Sequence, residues 1–290
     1  MLKTKIDCQG NWLNDVELEK YTSWRVGGKG SHLFKPLNMA DLIATLKKLP
    51  KNIPINWLGL GSNTLVRDAG FSGLTILTQS GLNTISLLDN NLVQAQSGVS
   101  CATFARFCAR NNLAKAEFWA GIPGTMGGAL RMNAGCFDGE TWDHVRSVET
   151  INRAGEVKVR AADEFDISYR NVEGLEQDEW FIKANFQLPD GIKQNSLTAI
   201  KELLARRSAT QPTGEYNCGS VFRNPPGKFA AKLIEDCGLK GKQIGGAFVS
   251  VKHANFITND CSATADNIES LIDYVWQTVF AETGIKLHRE

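Results

Sequence analysis

The chain lacks most of the signatures by which a sequence declares its class. No run of apolar residues approaches the length that a bilayer-spanning helix needs. The first residues, Met1 to Gly10, carry charges with no apolar core behind them, so a secretory leader is not expected. Net charge is only +1, which gives no overall field toward nucleic acid or an anionic membrane, and neither partner is expected. The seven cysteines are odd in number and form no C-x-x-C pair. That pattern excludes a zinc ribbon and points to reduced thiols and a cytoplasmic setting. The four histidines show no metal-binding spacing, so no metal is expected. Two nucleotide signatures also fail. Gly59-Leu60-Gly61-Ser62-Asn63 is followed by Thr64 where a dinucleotide fingerprint needs a third glycine, and Gly127-Gly128 is followed by Ala129 where a P-loop needs lysine. Ser220 stands outside a G-x-S-x-G elbow, which excludes that hydrolase arrangement. There is no internal repeat, heptad array or low-complexity tract.

What is present is an ordinary globular composition, 42% hydrophobic and 22% charged over 290 residues, long enough for two or three packed units. Residues 31–80 read as strand, helix, strand, loop, strand. Asn38 is the expected N-cap of the helix, Leu42, Ile43, Leu46 and Leu49 its apolar stripe, and Pro50 its stop. A strand is expected at 92–97, then a helix capped by Ser100 and carrying Phe104, Phe107 and Cys108. Short strands come next, near 145–151, 156–160 and 180–188. The last third turns helical. Ile200, Leu203 and Leu204 predict a basic helix ending near Arg206-Arg207. Phe229, Leu233, Ile234 and Cys237 predict a second apolar face closed by Gly238. Ile268 to Val279 predict a third, closed by Gly284. Pro189-Asp190-Gly191 is the expected boundary, giving segments 1–80, 81–190 and 191–290.

Three glycine-rich stretches could carry chemistry: Gly27-Gly28-Lys29-Gly30, Gly59 to Asn63, and Gly121-Ile122-Pro123-Gly124-Thr125-Met126-Gly127-Gly128. Glycine lets the backbone turn and approach a ligand, and successive amides in such turns form anion nests. Any one stretch taken alone reads as a tight turn. Cys218-Gly219-Ser220-Val221-Phe222-Arg223-Asn224-Pro225-Pro226-Gly227 places a hydroxyl, a guanidinium and an amide among rigid residues, just before a helix. It reads either as a helix-entry loop or as a proton-donating site. Arg170 in Ser168-Tyr169-Arg170 is a candidate clamp for a carboxylate or else a surface arginine. His253, within Ser250 to Phe256, is a further candidate ligand residue, and Glu290 on position alone is a terminal glutamate.

Together these words, in this order and spacing, resemble the UDP-N-acetylenolpyruvoylglucosamine reductases from about Tyr21 to Glu290. The run Met132-Asn133-Ala134-Gly135 and the run from Ala231 to Gly241 are among them. The resemblance implies an α+β chain with the FAD-binding fold of the vanillyl-alcohol-oxidase-like flavoproteins. Its two subdomains would be 1–80 and 81–190, with a C-terminal α+β substrate domain at 191–290. It implies non-covalent FAD, NADPH as reductant, a UDP-sugar substrate, and a place in peptidoglycan precursor synthesis and so in cell-wall growth and division. A monomer or weak oligomer is expected. On the matching words, Ser220 is the proton donor, and Arg170 and Glu290 (in Leu287-His288-Arg289-Glu290) are the polarising pair. Gly59, Gly61, Ser62, Asn63, Gly121, Ile122, Pro123, Gly124, Gly127, Gly128, Asn133, Ala134 and Gly135 surround the flavin. Tyr169, Arg223, Asn224, Lys252 and His253 face the substrate, with Arg206 and Arg207 as further cations for its pyrophosphate. Arg223 stands where lysine is common, and Arg131 where an apolar residue is usual. The short interval from Tyr169 to Ser220 matches a compact subtype lacking a tyrosine-bearing insertion. The alternative on the same fold is a flavin-dependent alcohol oxidase, whose flavin could be tethered through His32, His144 or Cys136.

Overall fold

Apolar residues spaced three and four apart make Met39–Lys48 the first helix (α1), and the side chain of Asn38 caps it by accepting from the Asp41 amide at 3.0 Å. A computed structural model describes residues 6–290. The chain divides into two units. The first comprises the described residues up to Asn14, Ser31–Leu60 and Ser72–Ala205. The second comprises Asp15–Gly30, Gly61–Phe71 and Arg206–Glu290.

Strands β1 (Asn11–Glu17), β2 (Lys29–Lys35), β3 (Ile55–Leu58) and β4 (Phe71–Leu77), most of whose residues belong to the first unit, form a sheet in the order β1-β2-β4-β3, with β3 and β4 parallel. Helix α1 buries Leu42 and Leu46 in the same cluster as Phe34, Leu74 and Ile76 of this sheet. A second sheet is built from β5 (Ile85–Leu87), β6 (Leu92–Gln96), β9 (Val145–Asn152), β10 (Val157–Ala161) and β13 (Glu179–Gln187), in the order β10-β9-β13-β6-β5. Its pairings are antiparallel. A register shift between Phe181 and Lys183 interrupts the alternation of β13, so that Ile182 joins the α1 cluster whereas Phe181, Ala184 and Phe186 join a larger one. That larger cluster also takes α2 (Cys101–Arg110), capped by Ser100, and the short α3 (Met126–Arg131). Fully buried Trp119 meets Phe104 and Phe186 edge-on at its centre. Two small hairpins complete the unit, β7 (Gly135–Cys136) with β8 (Gly139–Glu140), and β11 (Asp166–Ser168) with β12 (Asn171–Glu173).

Helix α4 (Lys193–Thr210) runs past the stop expected at Arg206-Arg207. Its last turn is held locally, because Arg207 donates to the Gln211 side chain and the Thr210 hydroxyl to the Arg206 carbonyl. The chain at Pro189–Gly191 is laced into the first unit, with the Ala114 amide on the Pro189 carbonyl and the Gly191 amide on the Asn112 carbonyl. The last passage of the chain from the first unit to the second falls after Ala205.

The second unit has its own core of α5 (Ala230–Asp236), the sheet β14 (Gln243–Ile244), β15 (Ala247–Val249), β16 (Ile257–Asn259), and α6 (Ala265–Thr283). Helix α6 buries Ile268, Leu271, Ile272, Val275 and Val279 and ends on left-handed Gly284. Phe229 departs from expectation. It precedes α5 and is 71% exposed rather than part of the apolar face. No described helix is long and apolar enough to cross a membrane. No cluster of three or more potential metal ligands occurs among the described residues.

Candidate active site

In the first unit the glycine stretches meet around two hydroxyls. A side chain on Gly59, just after β3, would fall 2.5 Å from Thr125 Oγ1, and one on Gly127 would fall 2.7 Å from Ser97 Cβ. Gly128 differs. It is exposed, and the nearest atom a Cβ would meet is Thr125 Oγ1 at 4.0 Å, so that face stays open. The Ser97 hydroxyl is buried with no partner. The expected nest of open amides is only partly present here. The Met126 and Gly127 amides already donate to the carbonyls of Val99 and Ser97, at 2.8 and 2.9 Å, which seats the first turn of α3. The glycines therefore serve chiefly to let Thr125, Ser97 and the bare face of Gly128 lie close together. Ile122, Pro123 and Gly124 form the turn before α3, in which the Gly124 carbonyl accepts from Cys101 and its amide donates to Ile122. The bare face of Gly128 and a spare buried hydroxyl fit the pyrophosphate-bearing FAD that the family resemblance implies. Sequence reasoning misses Thr125 and Ser97. Thr125 lies inside the third stretch, whereas nothing local marks Ser97.

Arg170 lies in the same unit, on the two-residue turn between β11 and β12, with φ +56°. A left-handed backbone costs a non-glycine residue about 1 kcal/mol, so the side chain must be held. Its guanidinium donates to the carbonyls of Asn133 at 3.2 Å and Gly135 at 2.6 Å and stacks 4.9 Å from the Tyr169 ring centroid. Asn133 is only 1% exposed, and its side chain is committed internally. It donates to Glu140 and to the Ser168 carbonyl and accepts from the Trp142 amide. That leaves half-buried Ala134 and Gly135 as the more open part of this loop. Arg131, the unusual cation, reaches from α3 to the Val172 carbonyl of β12 and so ties α3 to the Arg170 hairpin.

In the second unit, Gly61 has φ +62° and a Cβ there would lie 2.0 Å from the Tyr21 carbonyl, so only glycine fits. Its carbonyl accepts from the Ser23 amide and the Cys218 thiol. Burial pushes that thiol up to about 11, so it stays protonated. Ser62 and Asn63 make no hydrogen bond among the described residues and are available to a ligand.

Ser220 comes after left-handed Gly219 and is half-buried, and its hydroxyl has no partner among the described residues. The backbone after it is pinned on two sides. Val221 donates to the Asn255 carbonyl at 2.9 Å and accepts from the Glu290 amide at 2.8 Å, and the Arg223 amide donates to the His288 carbonyl at 2.8 Å. This ladder holds Glu290 beside the segment that carries Ser220. Arg289 reinforces it by pairing with Asp273 and Glu269 on α6. Arg223 buries an unpartnered Nε, a guanidinium still short of an acceptor. Asn224 instead receives the Ala230 amide and closes the loop into α5. Lys252 donates to the Ser208 carbonyl at 2.5 Å. His253 stands edge-on to Phe256 with Nδ1 buried and unpartnered, and burial lowers its pKa, favouring the neutral ring.

Comparison with known proteins agrees with both halves. Residues 31–160 match the model of an FAD binding domain, and residues 211–290 match that of the UDP-N-acetylenolpyruvoylglucosamine reductase C-terminal domain. The chain is 60% identical over 285 residues to the UDP-N-acetylenolpyruvoylglucosamine reductase of Legionella pneumophila strain Paris, covering 98% of this chain and 94% of that one. The crystal structure of the Thermus caldophilus reductase superposes with a TM-score of 0.83 at 30% identity, covering 98% of this chain and 99% of that one. The 6-hydroxy-D-nicotine oxidase of Arthrobacter nicotinovorans shares the fold alone, at a TM-score of 0.59 and 12% identity over 99% of this chain and 90% of that one. The chain has the α+β FAD-binding fold of the vanillyl-alcohol-oxidase-like flavoproteins and belongs to the UDP-N-acetylenolpyruvoylglucosamine reductase family.

Proposed function

We propose that this chain uses NADPH and FAD to reduce the enolpyruvyl ether of UDP-N-acetyl-3-O-(1-carboxyvinyl)glucosamine to the lactyl ether of UDP-N-acetylmuramate, a peptidoglycan precursor. The observation that carries the reading is the likeness at 60% identity across nearly the whole chain to a reductase of that name. The FAD-domain match at 31–160 and the substrate-domain match at 211–290 support the same division of labour.

FAD, when bound, supplies the hydride relay from NADPH to the terminal vinyl carbon. Thr125, Ser97 and the bare face of Gly128 would hold it, with Gly59 making room for Thr125. The family resemblance adds Gly61, Ser62 and Asn63 to the residues that would hold it. As hydride adds, negative charge builds on the carbon next to the carboxylate. Arg170, fixed on the carbonyls of Asn133 and Gly135, stabilises that charge. Ser220, whose hydroxyl is unengaged, delivers a proton to that carbon. Glu290 polarises the same centre from the tail pinned to Val221. Arg223 supplies a donor for a phosphate of the UDP group, with Lys252, Arg206 and Arg207 as outer cations. Tyr169, Asn224 and His253 line the substrate's path. The protein works in the cytoplasm as a monomer or weak oligomer.

The test is spectroscopic and chemical. The purified protein should be yellow, release free flavin on heating, bleach with NADPH, and regain colour anaerobically with the UDP-enolpyruvyl sugar as UDP-N-acetylmuramate forms. A colourless protein, or flavin retained on the denatured chain with rapid reoxidation by oxygen instead, would reject it.

A further inference from the structure

Asn255 is 3% exposed, and its side-chain amide and carbonyl are spent on one short stretch of backbone. Its side-chain oxygen accepts from the Phe222 amide at 3.0 Å, its side-chain nitrogen donates to the Phe222 carbonyl at 2.8 Å, and its own carbonyl accepts from the Val221 amide at 2.9 Å. The side-chain amide thus mimics a neighbouring strand for a segment lying outside any named strand. Asn255 is itself held in the loop joining β15 to β16. There the Ser250 hydroxyl accepts from the Lys252 and His253 amides, and the Ser250 amide donates to the Phe256 carbonyl. Val221 and Phe222 are 7% and 1% exposed, so the stretch cannot exchange these bonds for water without opening the core.

We propose that Asn255 is a positioning residue for Ser220, fixing the serine through the main chain of residues 221 and 222 so that its side chain stays unengaged. The proposal rests on the reading of Ser220 as the proton donor. Gly219 precedes the serine at φ +77° with no atom within 4 Å of where its Cβ would be. On that side the Gly219 amide donates to the Asn217 side chain and buried Cys218 is held on the Gly61 carbonyl, and on the other side the placement of the hydroxyl depends on residues 221 to 223. Three hydrogen bonds from Asn255 form one edge of that placement, and the Glu290 and Arg223 amide contacts form the other.

Asn255→Asp keeps an acceptor for the Phe222 amide but replaces the donor to the Phe222 carbonyl with a carboxylate oxygen, which repels it. Single-turnover rates are measured per flavin-bound enzyme, so a reduced folded fraction does not imitate the effect. Flavin reduction by NADPH should stay within about twofold of wild type. Anaerobic reoxidation by the UDP-enolpyruvyl sugar should slow by on the order of 100-fold, the scale of a misplaced reacting group. Its solvent deuterium isotope effect should rise, because proton delivery becomes the slow step. Adding Asn255→Asp to Ser220→Ala should cost little more than Ser220→Ala alone, since both act on one event. If the aspartate variant purifies without flavin, Asn255→Ser measured the same way replaces it. Wild-type reoxidation in Asn255→Asp, an unchanged isotope effect, or full additivity with Ser220→Ala would overturn the proposal. Wild-type reoxidation in Ser220→Ala itself would instead remove the proton-donor reading, and the positioning role with it.

Discussion

Arg170 in the first unit and Ser220 in the second are mounted in opposite ways. Arg170 occupies a left-handed position on a tight hairpin turn and is fixed through its side chain, which grips two carbonyls of the 133–135 loop. Ser220 is fixed through the main chain of the residues after it, and its side chain is left unengaged. The difference reflects the task of each group. A guanidinium that stabilises charge must be aimed and can spend some donors on being aimed. A hydroxyl that gives up a proton has a single hydrogen, and an internal acceptor would compete for it.

If that contrast holds, cutting the side-chain mount and cutting the main-chain mount should have different signatures. The largest of these effects is expected for Arg170→Ala, which should lower the rate of flavin reoxidation by substrate roughly 100-fold or more, about 3 kcal/mol. Reduction by NADPH should stay near wild type. Arg170→Lys should rescue little, because a point charge cannot span the two carbonyls. A smaller effect is expected for Asn133→Ala. It removes the side-chain bonds that shape the loop under Arg170 while keeping the carbonyl that Arg170 uses. Its loss of stability, about 1–3 kcal/mol for orphaned buried partners, should be read in the melting temperature. A rise in substrate KM should accompany it, larger than the fall in kcat. The smallest effect concerns the thiols, which each unit buries. Burial raises Cys101 to about 12 and Cys218 to about 11. Both should therefore remain unalkylated at pH 8, while exposed Cys261 reacts. Rapid labelling of Cys218 would show that the Gly61 carbonyl it contacts is not held as described.

Much of the molecule is legible in the sequence, for physical reasons that differ by element. Helices α1, α2 and α6 announce themselves because cap, stripe and stop are all local: Asn38, Ser100 and Gly284 stand where the spacing requires. Hydrophobic spacing misplaces the end of α4, because its last turn is held by i,i+4 side-chain contacts that such spacing does not register. Phe229 fits the spacing of a buried face, yet the Asn224 cap on Ala230 starts the helix just after it. For the candidate site, the glycine stretches, Ser220, Arg170 and Glu290 can be named as residues from the sequence. Their mounts cannot. The left-handed backbone at Arg170, the spare hydroxyl of Ser97 and the grip of Asn255 on Phe222, 33 residues away in sequence, all depend on contacts with no sequence spacing of their own.

The most direct measurement is anaerobic stopped-flow of the flavin band in Ser220→Ala, tracking each half of the cycle separately. The account predicts bleaching by NADPH at close to the wild-type rate and return of colour with the UDP-enolpyruvyl sugar slowed by about 10³-fold. Equal slowing of both phases, or no slowing of either, would contradict it.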